Sequence, residues 1–201
     1  MATLERIHFV PHYLVRRENA VAYSPSSSRP SIEGLPQIFW ADYAPWREAN
    51  LWAVERATTG DASLKTVASN MNGLLNYAKF LESRDLQWFE FPARKADRCL
   101  VLYRGALIKM RDAGQIGPST ASEYMRNCIM FYRWVRHREL LSPHVQLWRE
   151  KPYVVKYFDR VGFERTISGT TTDLSIPNRK RPGQTLEDGL LPVSETDRDA
   201  I

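Results

Sequence analysis

The stretch LKTVASNMNGLLNYAKFLESRDLQWFEF, Leu64 to Phe91, decides how the rest of the chain is read. Within it Val67, Met71, Leu74, Ala78 and Leu81 recur at intervals of four, three, four and three, the apolar stripe of an amphipathic helix. Lys65, Thr66, Ser69, Asn70, Asn72, Asn76 and Lys79 fall on its other faces. Upstream, PWREANLWAVERA puts Pro45 in a first turn and spaces Trp46, Ala49, Ala53 and Ala57 by three and four, which predicts a helix from about Pro45 to Ala57. Downstream, Leu100, Tyr103, Leu107 and Met110 predict a third helix from about Arg94 to Ala113, with Gly114 placed for the left-handed C-terminal conformation. A fourth is expected after Pro118, where Thr120 and Glu123 have capping-box spacing. It continues through Tyr124, Cys128, Phe131 and Val135 and closes at Leu140, Leu141 and Ser142-Pro143. Four helices joined by short loops make an all-helical bundle of ~100 residues, a normal domain size.

Outward from the bundle the texture changes. Residues 1–36 run into SPSSSRPS, Ser24 to Ser31, and read as an extended N-terminal arm and Ser/Pro linker. Residues 37–145 are the helical domain. After Pro152, YVVKYF and FERTIS are β-branched and aromatic runs around a turn at Asp159 to Gly162, so a β-hairpin is expected. Beyond it the chain is polar and irregular, and residues 146–201 read as a linker and the beginning of a second domain, cut short. The expected fold class is mainly α, a bundle followed by a short hairpin and an irregular C-terminal segment.

The chain has 201 residues, 43% hydrophobic and 25% charged, which places it among globular rather than disordered or fibrous proteins. Apolar stretches break well before the roughly 18 residues that span a bilayer, and MATLERIHFVPH lacks the pattern of a secretory signal, so no membrane partner and a cytoplasmic location are expected. Cys99 and Cys128 are too few for a disulfide scaffold or a four-ligand zinc site, and both are expected as buried thiols. Net charge is +5, unevenly spread. Arg94 to Glu139 holds ten basic and four acidic residues, whereas the stretch from Gln184 onward holds five acids and one arginine. Such asymmetry suits nucleic acid better than a uniformly basic chain would.

Ser69, Asn70, Asn72 and Asn76 are poor helix formers within two turns, which either reflects polar contacts to phosphates and base edges or an ordinary solvated face. Arg126, Arg133, Arg136 and Arg138 add charge to the fourth helix on the same two readings. Trp46, Tyr103, Phe131 and Trp134 lie on or beside the apolar stripes and are expected in the core. His8, His12, His137 and His144 lack metal-ligand companions, no phosphate-binding glycine motif or nucleophile elbow is present, and the carboxylates form no pair. No catalytic residue, metal or cofactor is expected.

The block from Leu64, followed by YRGALIKMRDAGQIGPSTASEYMRNCIMFYRWVRHRELLSP, resembles the core-binding domain of tyrosine recombinases, the phage integrase family. Gly117-Pro118-Ser119-Thr120 leading a helix that ends in Phe131-Tyr132-Arg133-Trp134 and Leu140-Leu141 is its most telling part. The similarity covers residues 37–145, and VGFERTISGTTTDLSIPNRK with LEDGLLPVSETDRDAI looks like the β-rich entry to the catalytic domain. The resemblance implies a SAM-like four- to five-helix bundle that clamps double-stranded DNA at a recombination site, with self-association there by the full-length protein. The family's catalytic pattern is missing: Leu140 stands three residues after His137, and Leu147 three after His144, where the family has arginine. Lys65, Thr66, Ser69, Asn70, Lys79, Ser119, Thr120, Arg126, Arg133 and Arg136 are the expected DNA contacts, off the apolar stripes and on the helices that cross the major groove in that family. A helical protein-interaction module is the competing expectation. A helix-turn-helix regulator is disfavoured, because DAGQIGPS exceeds the usual turn between its helices.

Overall fold

The computed structural model describes residues 1–17, 20–158 and 162–177. The acidic tail, and all but Gly162 of the expected turn at Asp159 to Gly162, lie outside these residues. The fold is mixed α/β and not mainly α: among the described residues helices hold 40% and strands 26%, the latter in three antiparallel two-stranded sheets.

The correction comes chiefly from residues 1–36, whose described residues form three strands and most of a fourth rather than an arm and linker. Strand β1 (Thr3–Phe9) pairs with β4 (Ile32–Phe39), and β2 (His12–Arg17) with β3 (Ala20–Pro25), so one ribbon continues the other. The Ser/Pro run supplies the interruption between the two ladders, where Ser26 N–H donates to Pro11 O at 2.7 Å. What holds the first ribbon to the bundle is β4, whose Leu35 and Ile38 are fully buried. Asn50 acts there as a substitute strand: Ile38 N–H donates to its Oδ1 at 2.7 Å and its Nδ2 donates back to Ile38 O at 3.0 Å. The first bond satisfies a buried N–H, and the Ile38 carbonyl accepts from Trp46 N–H at 2.9 Å as well.

The bundle consists of α1 (Arg47–Thr58), α2 (Leu64–Ser83), α3 (Cys99–Asp112) and α4 (Pro118–His137). The third helix starts later than the expected Arg94, after a separate 3-10 turn at Lys95–Asp97. Arg98 explains the break, because its guanidinium donates to the carbonyls of Pro92, Ala93 and Gln146 at 3.0, 2.9 and 2.7 Å. Thr120 makes no capping bond. Gly117 is the N-cap of α4, with Pro118 in the first turn and no side-chain acceptor. Trp46, Trp52, Tyr77, Trp88, Tyr103, Phe131 and Tyr132 fill the core, with Trp46 and Phe131 edge to face at 5.3 Å. Trp134 is half-buried beside them, and Cys99 and Cys128 are buried and free.

After α4 the chain forms the expected hairpin, β5 (Glu150–Phe158) with β6 (Glu164–Thr172). Ala2, Leu147, Trp148, Leu174 and Ile176 join the same apolar cluster as the helices. The described parts of segments 1–36, 37–145 and 146–201 therefore share one core.

Candidate nucleic-acid interface

Helices α2 and α4 lie side by side and run in the same direction. Ser69 Oγ donates to Glu123 Oε1 at 2.8 Å, Asn70 Nδ2 to Asn127 Oδ1 at 2.9 Å, and the Tyr77 and Tyr132 hydroxyls meet at 2.9 Å, so the partners climb both helices together. Gly73 permits the approach, since a Cβ there would stand 2.5 Å from Asn127 Nδ2 and 3.1 Å from Asn127 Cβ. The two N-termini consequently share one end of the bundle. Ser63 Oγ accepts from Thr66 N–H at 3.2 Å to cap α2, Gly117 precedes α4, and neither first turn contains an acidic residue. Free N–H groups and the partial positive charge of two helix starts are thereby concentrated in one place.

Lys65, Thr66, Ser69 and Ser119 are exposed around this end, Thr120 is half-buried, and Arg126 is exposed about two turns along α4. Lys65 and Arg126 form no ion pair among the described residues. Glu123, held by Ser69, is a carboxylate beside the patch, and exposed Asp61 stands two residues before the Ser63 cap.

Three groups of expected contacts sit elsewhere. Asn70 is only 6% exposed and bonded to Asn127, which places it inside the bundle and not on a polar face. The reason is its position three residues after Val67 and four before Leu74, within the stripe. Asn127 shares that geometry, three after Tyr124 and four before Phe131, a signal that counting apolar residues alone passes over. Lys79 is half-buried far along α2. Arg133 and Arg136 are exposed on the last turns of α4, where they serve the hairpin: Arg133 Nη2 donates to both oxygens of Glu150 at 3.0 and 2.9 Å, and the Arg136 guanidinium lies 6.0 Å over the Trp148 ring.

Much of the positive run from Arg94 to Glu139 is in fact structural. Arg98 ties three carbonyls, Arg104 Nε donates to Leu174 O at 3.1 Å, and Arg138 pairs with Glu55 at 2.7 Å. Lys95 pairs with Asp173, whose other oxygen accepts from Arg149 N–H at 3.0 Å. Glu150 also accepts from Trp148 Nε1 at 2.7 Å. Burial pushes the Glu150 and Asp173 carboxyls up, but hydrogen bonds from Trp148 and Arg133 to the first, and from Lys95 and Arg149 to the second, outweigh it and hold both below their usual values. The root of the hairpin is thus bolted to α3 and α4. Among the described elements, β5 and β6 pack beyond the root only against each other, as β2 and β3 do, so two ribbons project from the body.

Burial raises the Cys99 and Cys128 thiols and the Tyr77, Tyr103 and Tyr132 phenols, which therefore stay protonated near neutral pH. Among the described residues no three His, Cys, Asp or Glu side chains gather where a metal could sit, and no helix is long and apolar enough to cross a membrane. No protein-family model, no curated protein and no solved structure matches the chain.

Proposed function

We propose that this chain binds duplex DNA as the non-catalytic N-terminal part of a site-specific tyrosine recombinase, holding phosphates at the shared end of α2 and α4. The observation that carries the proposal is the parallel pairing of two helix starts without acidic first-turn residues, ringed by exposed Lys65, Thr66, Ser119 and Arg126. Backbone N–H groups at helix starts, hydroxyls and cations are the groups that position a protein on a DNA backbone. The recombinase part rests on the resemblance of residues 37–145. Action in the cytoplasm, on the nucleoid when bound, and self-association at the recombination site belong to the same reading.

Fluorescence anisotropy on a short labelled duplex over roughly 50 to 200 mM salt tests it. The parent is expected to weaken steeply as salt rises. A Lys65→Ala/Arg126→Ala protein with an unchanged melting temperature should lose about two units of salt slope. An unchanged slope removes the α2 and α4 end as the interface. Failure of the parent to bind any duplex favours a protein-interaction module, for which the exposed apolar residues of the ribbons speak.

A further inference from the structure

We propose that Glu123 reads a base of the bound duplex, accepting a hydrogen bond from the N4 amino group of a cytosine in the major groove, with Ser69 as the residue that positions it. The proposal rests on the DNA-binding reading above and adds sequence recognition to an interface otherwise made of groups that hold phosphates.

Helix geometry places the carboxylate. Glu123 is the sixth residue of α4 as Ser69 is the sixth of α2, and the 2.8 Å bond from Ser69 Oγ to Glu123 Oε1 joins the two helices at the same height along their parallel course. Ser69 is exposed and Glu123 half-buried, so this bond lies on the solvent side of the seam, outside the buried bond between Asn70 and Asn127. Lys65 and Thr66 precede Ser69 by four and three residues on α2, while Ser119 precedes Glu123 by four and Arg126 follows it by three on α4, so each set shares a helix face. The groups proposed to hold phosphates therefore border Glu123 on both helices.

A carboxylate so placed opposes phosphate binding unless it meets a donor. Among the described residues Glu123 forms no ion pair, and no group donates to its Oε2. Asp61 differs, because it precedes the α2 cap and accepts from Thr59 Oγ1 at 2.8 Å, outside both helices. The Ser69 bond uses one Glu123 oxygen and leaves the other open. It also restrains a long side chain before any ligand arrives, which lowers the entropy lost when a base is bound.

Donor and acceptor chemistry selects the base. A carboxylate can only accept. In the major groove guanine presents two acceptors, and thymine an acceptor and a methyl group, so neither offers Glu123 a partner. Adenine sets its N7 acceptor beside the N6 donor, whereas cytosine offers the N4 donor alone. One open oxygen and one donor therefore match at cytosine. The major groove, about 12 Å wide, admits a helix, and the minor groove at about 6 Å is too narrow for one.

The test selects bound duplexes from a pool with a randomised central segment and sequences them, for the full chain and for Glu123→Ala, Glu123→Gln and Ser69→Ala, with melting temperatures measured alongside. Glutamine keeps an oxygen for the Ser69 hydroxyl, so this variant retains the tie between the helices. The parent should favour cytosine at one position by at least about fivefold. Glu123→Ala should lose that preference and bind the unselected pool several-fold more tightly, since a negative charge leaves the surroundings of the phosphates. Glu123→Gln should move the preference to adenine, whose N6 and N7 an amide engages together. Ser69→Ala should weaken the preference for cytosine without changing the base. A carboxylate that merely ties α2 to α4 would lower the melting temperature on removal and leave the base preference intact. That result, or a parent without preference at any position, overturns the role of Glu123, while the salt slope of Lys65→Ala/Arg126→Ala judges the phosphate interface separately. Absence of any duplex binding by the parent overturns both.

Discussion

At Ser63 and Thr120 the same group, a hydroxyl near a helix start, has two fates. Ser63 has extended backbone geometry and its oxygen accepts the Thr66 N–H, so replacing it with alanine should cost about 1 kcal/mol. Thr120 lies three residues past the N-cap Gly117 and makes no capping bond, so Thr120→Ala should cost less than about 0.5 kcal/mol. Urea denaturation separates the two, and an equal loss would refute the assignment of caps. Gly73 permits a sharper test. Alanine there gains helix propensity but drives a methyl into Asn127, which is fully buried and cannot step aside, so Gly73→Ala should destabilise by about 1 to 3 kcal/mol. Removing the obstacle with Asn127→Ala in the same protein should make the double variant more stable than the sum of the singles, a coupling of at least about 0.5 kcal/mol. Strict additivity would mean that the close approach of α2 and α4 is not what glycine serves.

At the level of elements, helices were legible where apolar residues recur strictly, and ribbons were legible only where the apolar run is dense. The stripe from Val67 to Leu81 predicted α2, and YVVKYF with FERTIS predicted β5 and β6. Strand β1 escaped because Glu5 and Arg6 are both exposed and interrupt its alternation, and because its partner is β4, separated from it by the whole Ser/Pro run. The candidate site was half legible. Lys65, Thr66, Ser119 and Arg126 stand out as polar residues off the stripes, but which arginines act as bolts depends on contacts with Glu150, Leu174 and Glu55 far along the chain. Helix ends show the same limit. Gly114, at φ 72°, ends α3 as its type suggests, whereas Asp85 at 51° and Glu139 at 56° hold the corresponding left-handed positions after α2 and α4. In all three the following N–H reaches back to the carbonyl five residues earlier: Leu86 to Leu81, Gln115 to Met110 and Leu140 to Val135. Glutamate has no special tolerance for this conformation. Glu139→Gly should therefore stabilise the chain by about 0.5 to 1 kcal/mol, measured by thermal or urea unfolding. A loss of stability would show that the Glu139 side chain contributes something its geometry does not reveal.

Across the whole molecule, an uncharged aromatic core carries a ribbon fastened by two ionised carboxylates, and acid should separate the two. Glu150 and Asp173 are held below their ordinary values of 4.5 and 3.8 by hydrogen bonds that prevail over burial. A carboxylate with a depressed folded-state pKa contributes stability that is complete above its unfolded value and is lost as pH falls through the folded one. The root bonds to Arg133, Trp148, Lys95 and Arg149 therefore weaken as pH drops below those ordinary values. The packing of Trp46, Tyr77, Phe131 and Tyr132 has no group that titrates there. Hydrogen exchange, corrected for intrinsic rates at each pH, should show Glu150–Phe158 and Glu164–Thr172 losing protection before α2 and α4 do. Asp173→Asn should reproduce part of that loosening at neutral pH and remove the corresponding part of its pH dependence. Simultaneous loss of protection in ribbon and helices would mean that the ribbon and the bundle form one cooperative unit, in which the ion pairs are incidental to the mounting.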